Sequence, residues 1–412
     1  MLIQLYKNAY SGLSRDSWYL CLVMLINRSG TMVIPFMTIY CTQQLHFTIT
    51  QAGSIAGLFG VGAVVGAFIG GKITDRWGFY DLQIFALLSG GLFFILLGYQ
   101  TTFINLAVGT FVLSMCNESF RPANSTAIAH YSNEENKTRS YSLNRLAVNL
   151  GWAFGGAIGG FLAGINFHLL FWVDGCTNIV AAVMLLILIP RIKATHKTKS
   201  VSDVDKAGRG TSAYRDKLYL LFVVLTALFG TCFFQVFTMQ PVFYRTQWHF
   251  TEQFIGGLMA LNGCLIAFTE MVLIHNLEGR RHAMQYIPIG VLMVGTGFML
   301  LNILPTSMFS ALFVVMFITY GEIMAMPFMN SFWIVRTTAH NRGEYAALYT
   351  IAWSVAQSLG PYLGSHIIGW YGYQVFWWGL GGACAVVSLG FFSIYKFNYA
   401  SVSNTKVAVT SV

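Results

Sequence analysis

Seven ionisable side chains lie inside long apolar stretches of this 412-residue chain, where a charge is costly to bury. Only 9% of the residues are charged and 56% are hydrophobic, so these positions stand out. A carboxylate in apolar surroundings can take up and release a proton, and an arginine can bind an anionic group. These residue types therefore indicate proton transfer and small-ligand binding. The seven are Arg28, Glu118, Arg121, Arg145, Asp174, Glu270 and Glu322.

The basic members of this set lie in the first half of the chain. Arg28 is about 11 residues, or roughly 16 Å, inside its helix, so we expect it to face a cavity rather than reach the membrane surface. Arg121 follows Glu118 by three residues, so the two side chains can pair on one helix face. This pair could serve in gating, in a proton relay or in stabilising the structure. Arg145 lies nearer a helix end, where it either joins this network or anchors the interface. Asp174 is expected to be structural.

The second half contributes only acids. Glu322 lies in the middle of its helix, so we expect it to be the main proton-coupling residue, with Glu270 and Glu118 as further candidates. The implied cavity is cationic towards the first half and anionic towards the second. Its substrate-binding residues are expected to be Arg28, Arg121, Arg145 and Glu322, with aromatic walls from Trp152, Tyr320 and Trp353.

The elements that carry these residues are long apolar runs. A run of about 18 or more apolar residues with few charges is typical of a membrane span. The runs are continuous rather than alternating, which favours helices and excludes a membrane β-barrel. We therefore predict an all-α integral membrane protein with twelve transmembrane helices in two pseudo-symmetric bundles of six. The spans are placed near 17–41, 51–71, 81–99, 103–128, 139–164, 168–190, 217–242, 252–276, 284–304, 308–335, 342–369 and 373–396.

A polar, basic segment, 191–216, divides the chain into an N-terminal bundle, 1–190, and a C-terminal bundle, 217–412. This segment is expected to be a cytoplasmic linker. The basic residues between the predicted spans fall on one side of the membrane, except Arg245, which falls on the other side. The asymmetry predicts a multi-pass protein of the cytoplasmic (inner) membrane with both termini in the cytoplasm. The net charge of +9 then reflects anionic membrane lipids rather than a nucleic-acid partner.

Sequence features of an enzyme are sparse. The seven cysteines are scattered singly without metal-site spacing, and no phosphate-binding loop occurs. We predict no enzymatic activity, no metal and no cofactor, with a proton gradient as the energy source. The alternative class, a membrane enzyme or a signalling receptor, would need a nucleophile–base pair or metal ligands near one interface.

The two halves resemble each other at a constant spacing. Glu118 aligns with Glu322, and Tyr141 aligns with Tyr345 at the same spacing. The stretch GGAIGG from Gly155 aligns with LGPYLG in the second half. Parallel repeats of six spans are a transporter architecture.

The stretch GGKITDRWG, from Gly70 to Gly78, lies in the predicted cytoplasmic loop between the second and third helices. It resembles the loop signature of the major facilitator superfamily, in which a glycine precedes Asp-Arg and another follows. The resemblance extends over the whole chain through the span number, the linker and the repeat. It implies that Gly71, Asp75, Arg76 and Gly78 form a cytoplasmic latch that holds the outward-facing state, the glycines allowing the backbone to approach and turn. The alternative is that these charges only set the topology.

The stretch NLGWAFGGAIGG places small residues along the fifth helix. It resembles the antiporter motif of that family, although Gly156 stands where the motif has a proline, and a Gly-Pro pair occurs in the eleventh helix instead. The resemblance implies antiport, whereas small residues at this spacing also serve close helix packing. The residues concerned are Gly151, Gly155, Gly156, Gly159, Gly160, Gly360 and Pro361.

These features predict a proton-coupled secondary transporter of small organic solutes that works by alternating access. Similarity to the drug:proton antiporter branch implies efflux of drug-like or metabolite amphiphiles. The alternative is uptake by symport of peptide-like or other zwitterionic solutes, because Arg28 and Glu322 resemble the residues with which proton-coupled oligopeptide transporters bind a peptide's carboxylate and amine. In that family acids precede the arginine of the first helix, whereas Met24 and Asn27 stand there in this chain. The expected partners are a small-molecule substrate, protons and membrane lipids, and the chain is expected to be a monomer.

Overall fold

The computed structural model describes residues 13–132, 137–191, 212–277, 280–336 and 341–409, and the regular structure of these ranges is helical. A chain in lipid satisfies its backbone hydrogen bonds within each helix, which explains why the apolar runs fold this way. The predicted all-α membrane fold is confirmed. The helices are α1 Arg15–Ser29, α2 Val33–Gln43, α3 Ile49–Trp77, α4 Phe79–Leu97, α5 Phe103–Glu118, α6 Phe120–Tyr131, α7 Lys137–Ala163, α8 His168–Leu188, α9 Lys217–Phe233, α10 Met239–Thr246, α11 Glu252–Leu277, α12 Ala283–Ile303, α13 Met308–Arg336 and α14 Arg342–Val409.

Eleven helical segments of the described ranges are long and apolar enough to cross a membrane. The last, Glu344–Lys396, has 53 residues and would be about 80 Å long as one straight helix. Gly372 within it has φ 78°, a conformation that favours glycine, so α14 divides there into two arms. Each arm is long enough to cross the hydrocarbon core. The arms correspond to the two spans predicted near 342–369 and 373–396.

The first, fourth and seventh spans are each interrupted, although the sequence analysis treats them as continuous. The first breaks over 30–32, and Pro35 lies in the first turn of α2, where its missing N–H is tolerated. The fourth is interrupted at Ser119, because Pro122 lacks the N–H that would continue the helical hydrogen bonds across this point. The seventh passes through a 3₁₀ turn, Phe234–Val236, before α10.

The chain divides into two compact units. Unit 1 comprises Met1–Thr198 and Val236–Ala267, and unit 2 comprises Lys199–Gln235 and Phe268–Val412. The segment 236–267, which the sequence analysis assigns to the C-terminal bundle, thus belongs to unit 1. It contains α10 and the first part of α11.

Helix α1 occupies the centre of the packing in unit 1. It packs against α7 and α8, while α4 packs against α8 and α3 against α5. Apolar side chains of α1, α4, α6, α7 and α8 form one continuous core around Val23, Leu87, Phe120 and Leu185. Because neighbours on two sides hold α1, the polar residues of α1 have fixed positions.

Helix α12 has the same role in unit 2, where it packs against α13 and α14, and α9 also packs against α14. The approach of α12 to α13 is close, since a Cβ on Gly321 would lie 2.8 Å from the Gly290 carbonyl oxygen. Between α12 and α14 the rings of Phe298 and Trp377 stack with centroids 5.7 Å apart. Small residues and stacked rings thus fix the helix positions in this unit.

Two turns of nearly the same sequence end α2 and α10. The segment 44–48 reads QLHFT and the segment 247–251 reads QWHFT. In each turn the histidine has positive φ, 56° at His46 and 55° at His249. The amide of the following phenylalanine donates to a carbonyl in the last turn of the helix, at 2.9 and 3.0 Å. The internal repeat therefore includes the first span of each half.

Candidate functional site

Three charged residues of unit 1 meet in one cluster. Arg28 Nη1 lies 3.7 Å from Glu118 Oε1, and Arg121 Nη2 lies 2.8 Å from Glu118 Oε2. Glu118 and Arg28 are both buried. One carboxylate thus bridges two guanidinium groups, which leaves the cluster with a net positive charge. The structure brings three of the predicted site residues together here.

Helix interruptions position the members of this cluster. Arg28 lies in the last turn of α1, where the carbonyl end of the helix dipole favours a cation. Glu118 is the last residue of α5, and Arg121 lies in the first turn of α6, across the interruption at Ser119. Discontinuous helices recur at the binding sites of membrane transporters, because their free backbone groups and dipoles face the ligand.

The exposed member of the cluster is Arg121. Its side chain is 57% exposed although it lies within Phe103–Tyr131, a segment apolar enough to cross a membrane. A guanidinium that faced lipid at this depth would be costly, and arginines within membrane spans as a rule face the bundle interior or a water-filled cavity. Glu118 engages Nη2, and the guanidinium has further N–H donors for an anionic group on a ligand.

Two other predicted binding residues of unit 1 lie on α7. Arg145 is exposed on this helix. Trp152 is half-buried, and its ring centroid lies 5.5 Å from that of Phe237. An aromatic pair at this separation offers a broad apolar contact surface.

The acids predicted for proton coupling in the second half both belong to unit 2. Glu322 is half-buried near the middle of α13, beside the close approach of Gly321 to α12. Tyr320 on the same helix is also half-buried. Glu270 is buried on α11. Within the described residues, no three His, Cys, Asp or Glu side chains are grouped as a metal site requires.

Trp353 lies in an aromatic cluster at the contact of α14 with α9. Its ring centroid is 6.3 Å from that of Phe229, 6.2 Å from that of Phe234 and 6.3 Å from that of Tyr349. A Cβ on Gly230 would lie 3.3 Å from the indole ring. Trp353 is half-buried, so one side of the ring packs within unit 2.

The segment predicted to be a latch ends α3. Gly78 follows the helix with φ 88°, so the turn lies at this glycine. Gly71 differs from the expectation, because a Cβ there would meet open space. The close backbone approach is made by Gly70, against the interruption between α5 and α6. Arg76 is exposed, and the side chain of Asp75 lies outside the described residues.

The glycines of α7 make close contacts on two sides of the helix. Gly151, Gly155 and Gly159 face α1 and the break after it, and Gly156 and Gly160 face the part of α11 that belongs to unit 1. A Cβ on Gly151 would lie 2.5 Å from Arg28 Cβ, and one on Gly160 would lie 2.6 Å from Gly256 Cα. The stretch that resembles the antiporter motif thus brings two helices against α7.

The Gly-Pro pair of the eleventh helix makes a similar contact in unit 2. Gly360 and Pro361 are buried where α14 meets α9. A Cβ on Gly360 would lie 3.1 Å from the Thr231 carbonyl oxygen. Gln235 Nε2 donates a hydrogen bond to the Gly360 carbonyl at 2.7 Å.

Sequence reasoning missed the cap that Asp174 provides at the start of α2. Its carboxylate accepts hydrogen bonds from the N–H of Met32, at 3.0 Å to each oxygen, and from the N–H of Val33 at 2.8 Å. Asp174 has no exposed surface. These N–H groups begin α2 and have no partner within the helix. Gly30 and Pro35 were the available signal, because a glycine shortly before a proline indicates a helix boundary.

The end of the predicted linker contacts unit 2. Asp216 caps α9 by accepting a hydrogen bond from the Tyr219 N–H at 3.0 Å. Its Oδ2 also accepts from Arg336 at 2.8 Å and from the Tyr345 hydroxyl at 2.9 Å. Burial by itself would raise the pKa of Asp216, but the hydrogen bonds from Arg336, Tyr219 and Tyr345 hold that pKa below its ordinary value.

Relatives with descriptive names align with most of this chain, among them an antiporter and a multidrug resistance protein. A Na(+), Li(+), K(+)/H(+) antiporter of Planococcus maritimus is 24% identical over 90% of this chain and 93% of its own length. Multidrug resistance protein 1 of Bacillus subtilis (strain 168) is 20% identical over 81% of this chain and 84% of its own length.

Solved structures share the fold. The crystal structure of a POT family transporter in complex with 5-aminolevulinic acid matches with a TM-score of 0.77, covering 92% of this chain and 96% of the other. The two sequences are 14% identical, so this likeness concerns the fold alone. The sequence pattern of the Major Facilitator Superfamily matches residues 20–361. Because that match covers most of the chain, the protein belongs to the Major Facilitator Superfamily and is a multi-pass membrane transporter rather than an enzyme.

Proposed function

We propose that this transporter is driven by protons and moves small organic solutes by alternating access, exporting amphiphiles in exchange for protons. The two relatives support export by antiport, since one is named an antiporter that uses H(+) and the other a multidrug resistance protein. The glycines of α7 that resemble the antiporter motif are consistent with this direction.

Proton coupling rests on the position of Glu118. When ionised, this carboxylate accepts a hydrogen bond from Arg121 and balances the charge of Arg28. When protonated, it balances neither, because both arginines stay charged. One proton therefore changes the charge of a buried cluster and weakens the contact that joins α1 to α5 and α6. A change of contacts on protonation is what a coupling residue must provide.

The acids of unit 2 are the further candidates for coupling. Glu322 occupies the repeat position of Glu118, and Glu270 is buried on α11. An acid inside a membrane span is costly, which indicates a functional reason for keeping it. We propose that Glu322 takes part in the same proton cycle.

A second candidate function is symport of a proton with an anionic or zwitterionic solute. Two arginines share one carboxylate, and the exposed Arg121 has donors available for an anion. Protonation of Glu118 makes the cluster more positive, so that a proton and an anionic group favour each other's binding. This observation supports uptake of peptide-like solutes as the alternative to export.

We also propose that the protein works as a monomer in the cytoplasmic membrane, with both termini in the cytoplasm and a proton gradient as its only energy source. The excess of basic residues on one side of the predicted spans supports this orientation. The segment with Gly71, Asp75, Arg76 and Gly78 is then cytoplasmic, where it is proposed to act as the latch.

The test is transport by the purified protein in liposomes under an imposed pH gradient of either direction. Suitable probes are ethidium and norfloxacin for drug-like solutes and dialanine for peptide-like solutes. Antiport predicts that a probe moves against the direction of proton flow, and symport predicts movement in the same direction. Movement of all three probes that is independent of the gradient would exclude proton coupling for both functions.

A further inference from the structure

One turn of α8 holds both ends of the break in the first span. Before the break, Asn27 Nδ2 donates to Asn178 Oδ1 at 2.9 Å. After it, the Asp174 carboxylate accepts from the N–H groups of Met32 and Val33 at 2.8 to 3.0 Å. Asn178 also donates to the Asp174 carbonyl at 2.7 Å, which links the two contacts. All five residues are buried.

The backbone between these contacts is closely packed on two sides. Thr177 Oγ1 occupies the place that a Cβ on Gly30 would take. On the other side, Gly151 of α7 lies so close that a Cβ there would be 2.5 Å from Arg28 Cβ. The backbone of Arg28 is therefore held between α7 and α8, one turn before the capped start of α2.

We propose that Asp174 is the positioning residue for Arg28. By capping α2, Asp174 fixes the conformation of the break between α1 and α2. This conformation determines the direction from which the Arg28 guanidinium approaches Glu118. The Arg28–Glu118 contact is long, at 3.7 Å, so a small shift of the α1 end breaks it. The importance of this role for transport rests on the proposed function of the cluster, whereas the geometric role does not.

A carboxylate suits this place because both of its oxygens accept hydrogen bonds and neither donates. An N–H pair at a helix start also favours a negative group. Asparagine has nearly the same size but keeps a single acceptor oxygen, and in either orientation its amide nitrogen would face the Met32 N–H, which lies near both oxygens. Asp174→Asn therefore loosens the break with little change of side-chain volume.

The experiment is a double-mutant cycle on thermal stability, measured by tryptophan fluorescence of the full chain in detergent. Arg28→Gln, Glu118→Gln and the double variant give the coupling between the two residues as the departure of their melting-temperature shifts from additivity. With Asp174 in place we expect a clear coupling. In the Asp174→Asn background the coupling should fall by at least about half.

The matched control is Asp81→Asn. Asp81 forms an ion pair with Arg191 at 3.1 Å, but both side chains are exposed, so this variant should leave the Arg28–Glu118 coupling unchanged. An equal coupling in the Asp174→Asn and parent backgrounds would overturn the proposal. If Asp174→Asn does not fold, Asn27→Ala removes the contact on the other side of the break, and the coupling should again fall. An undiminished coupling in Asn27→Ala would then overturn the proposal.

A transport measurement provides a second, independent test. With a probe that the parent transports, Asp174→Asn and Arg28→Lys should each reduce transport, and the double variant should be no worse than Arg28→Lys alone. Additive losses would show that Asp174 acts by another route and would contradict the proposal. If the parent moves no probe with a pH gradient, the proposed function fails, and the stability cycle still decides the role of Asp174.

Discussion

The first span of each half is interrupted, and the two halves hold the interruption differently. In the first half, Asp174 from α8 accepts hydrogen bonds from the N–H groups that begin α2. In the second half, the interruption is a 3₁₀ turn, and Gln235 Nε2 donates to the carbonyls of Thr231 and Gly360 at 3.1 and 2.7 Å. At its interruption, the first half pairs free backbone N–H groups with a carboxylate, and the second half pairs backbone carbonyls with a side-chain amide.

The charge at the interruption also differs. The spacing that aligns the turns at His46 and His249 places Thr231 opposite Arg28. Thr231 donates a hydrogen bond within its own helix, whereas Arg28 pairs with Glu118. The break is therefore common to both halves, whereas the ion pair with Glu118 is specific to the first.

The largest effect is expected from Arg28→Ala. It leaves Glu118 buried with one arginine fewer. Truncating one member of a buried charge pair costs roughly 2–5 kcal/mol, and each 1.4 kcal/mol corresponds to a tenfold change in an equilibrium or rate constant. Transport in liposomes should fall at least about tenfold. Arg28→Lys keeps the charge but not the planar fork and should retain part of the rate. Thr231→Ala, at the repeat position, should retain most of it, and equal losses at the two positions would remove the contrast between the halves.

The next effect concerns the repeat-related acids. Glu118→Gln and Glu322→Gln each copy the protonated form in shape, so both variants should fail to accumulate or expel substrate under a pH gradient. Both should still exchange labelled substrate when no gradient is present. The comparison of driven transport with exchange in the same liposomes provides the measurement. If one variant shows driven transport at the parental rate, that residue has no part in coupling, and Glu270 becomes the candidate in its place.

A smaller effect is expected at the loops that follow the second helix of each half. If the segment acts as the proposed latch, Asp75→Asn should reduce transport by about several-fold and favour the inward-facing state, because the variant removes one of its charges. The accessibility of a single introduced cysteine from each side of the membrane reports the state. Glu278 aligns with Asp75, and Glu278→Gln should have less effect. Normal transport with unchanged accessibility in Asp75→Asn would reduce this loop to a topology signal.

Gln235→Ala should lower stability while leaving every charge in place. It removes a buried hydrogen bond to the Gly360 carbonyl, and a typical intramolecular hydrogen bond contributes about 0.5–1.5 kcal/mol to stability. The melting temperature in detergent measures the loss. Gln100→Ala, at a half-buried position after α4 whose side-chain hydrogen bonds lie in exposed surroundings, should lower the melting temperature less. A Gln235→Ala variant as stable as the parent would show that the second interruption needs no side-chain support.

The smallest effect is expected from Asp216, which caps α9 in the second half. The hydrogen bonds around it hold its pKa below the ordinary value of about 3.9, so its stabilising contribution is complete above that pH and is lost as the pH falls further. The gap in melting temperature between the parent and Asp216→Asn should be constant from about pH 7 to pH 5 and should narrow below about pH 4. A gap that is constant down to about pH 3 would contradict this assignment.

The spans were predictable because lipid requires long apolar runs, and the arms of α14 lie at the positions that the runs indicate. The interruptions of the spans were harder to predict from the sequence. Gly30 and Pro35 mark a boundary, but nothing near them in the sequence shows that Asp174, on a distant helix, caps the next turn. The turns at His46 and His249 have nearly the same sequence, but their matching backbone conformation, seen only in the structure, identified them as part of the repeat.

The cluster was predictable in part. The three-residue spacing of Glu118 and Arg121 indicates a pair on one helix face. The structure has this ion pair, but the two residues belong to different helices on either side of Ser119. Arg28 joins this pair only through tertiary packing, because glycines of α7 allow α1 to pack closely against that helix. Spacing along one helix could not supply that contact. The roles of Glu322 and Glu270 stay predictions.

The distance along the chain between Arg28 and its carboxylate matters during synthesis. Ribosomes add about 5–20 residues per second, and Glu118 follows Arg28 by roughly 90 residues, so the arginine waits roughly 5–20 s for its partner. During this time the nascent first span carries an uncompensated charge, which insertion scales penalise by about 2.5–3.5 kcal/mol. Asp174 emerges later still, so the break after Arg28 has no cap when the first span reaches the membrane. An insertion machinery that retains the early spans until the fourth and sixth arrive removes this penalty, and premature release is costliest for the first span.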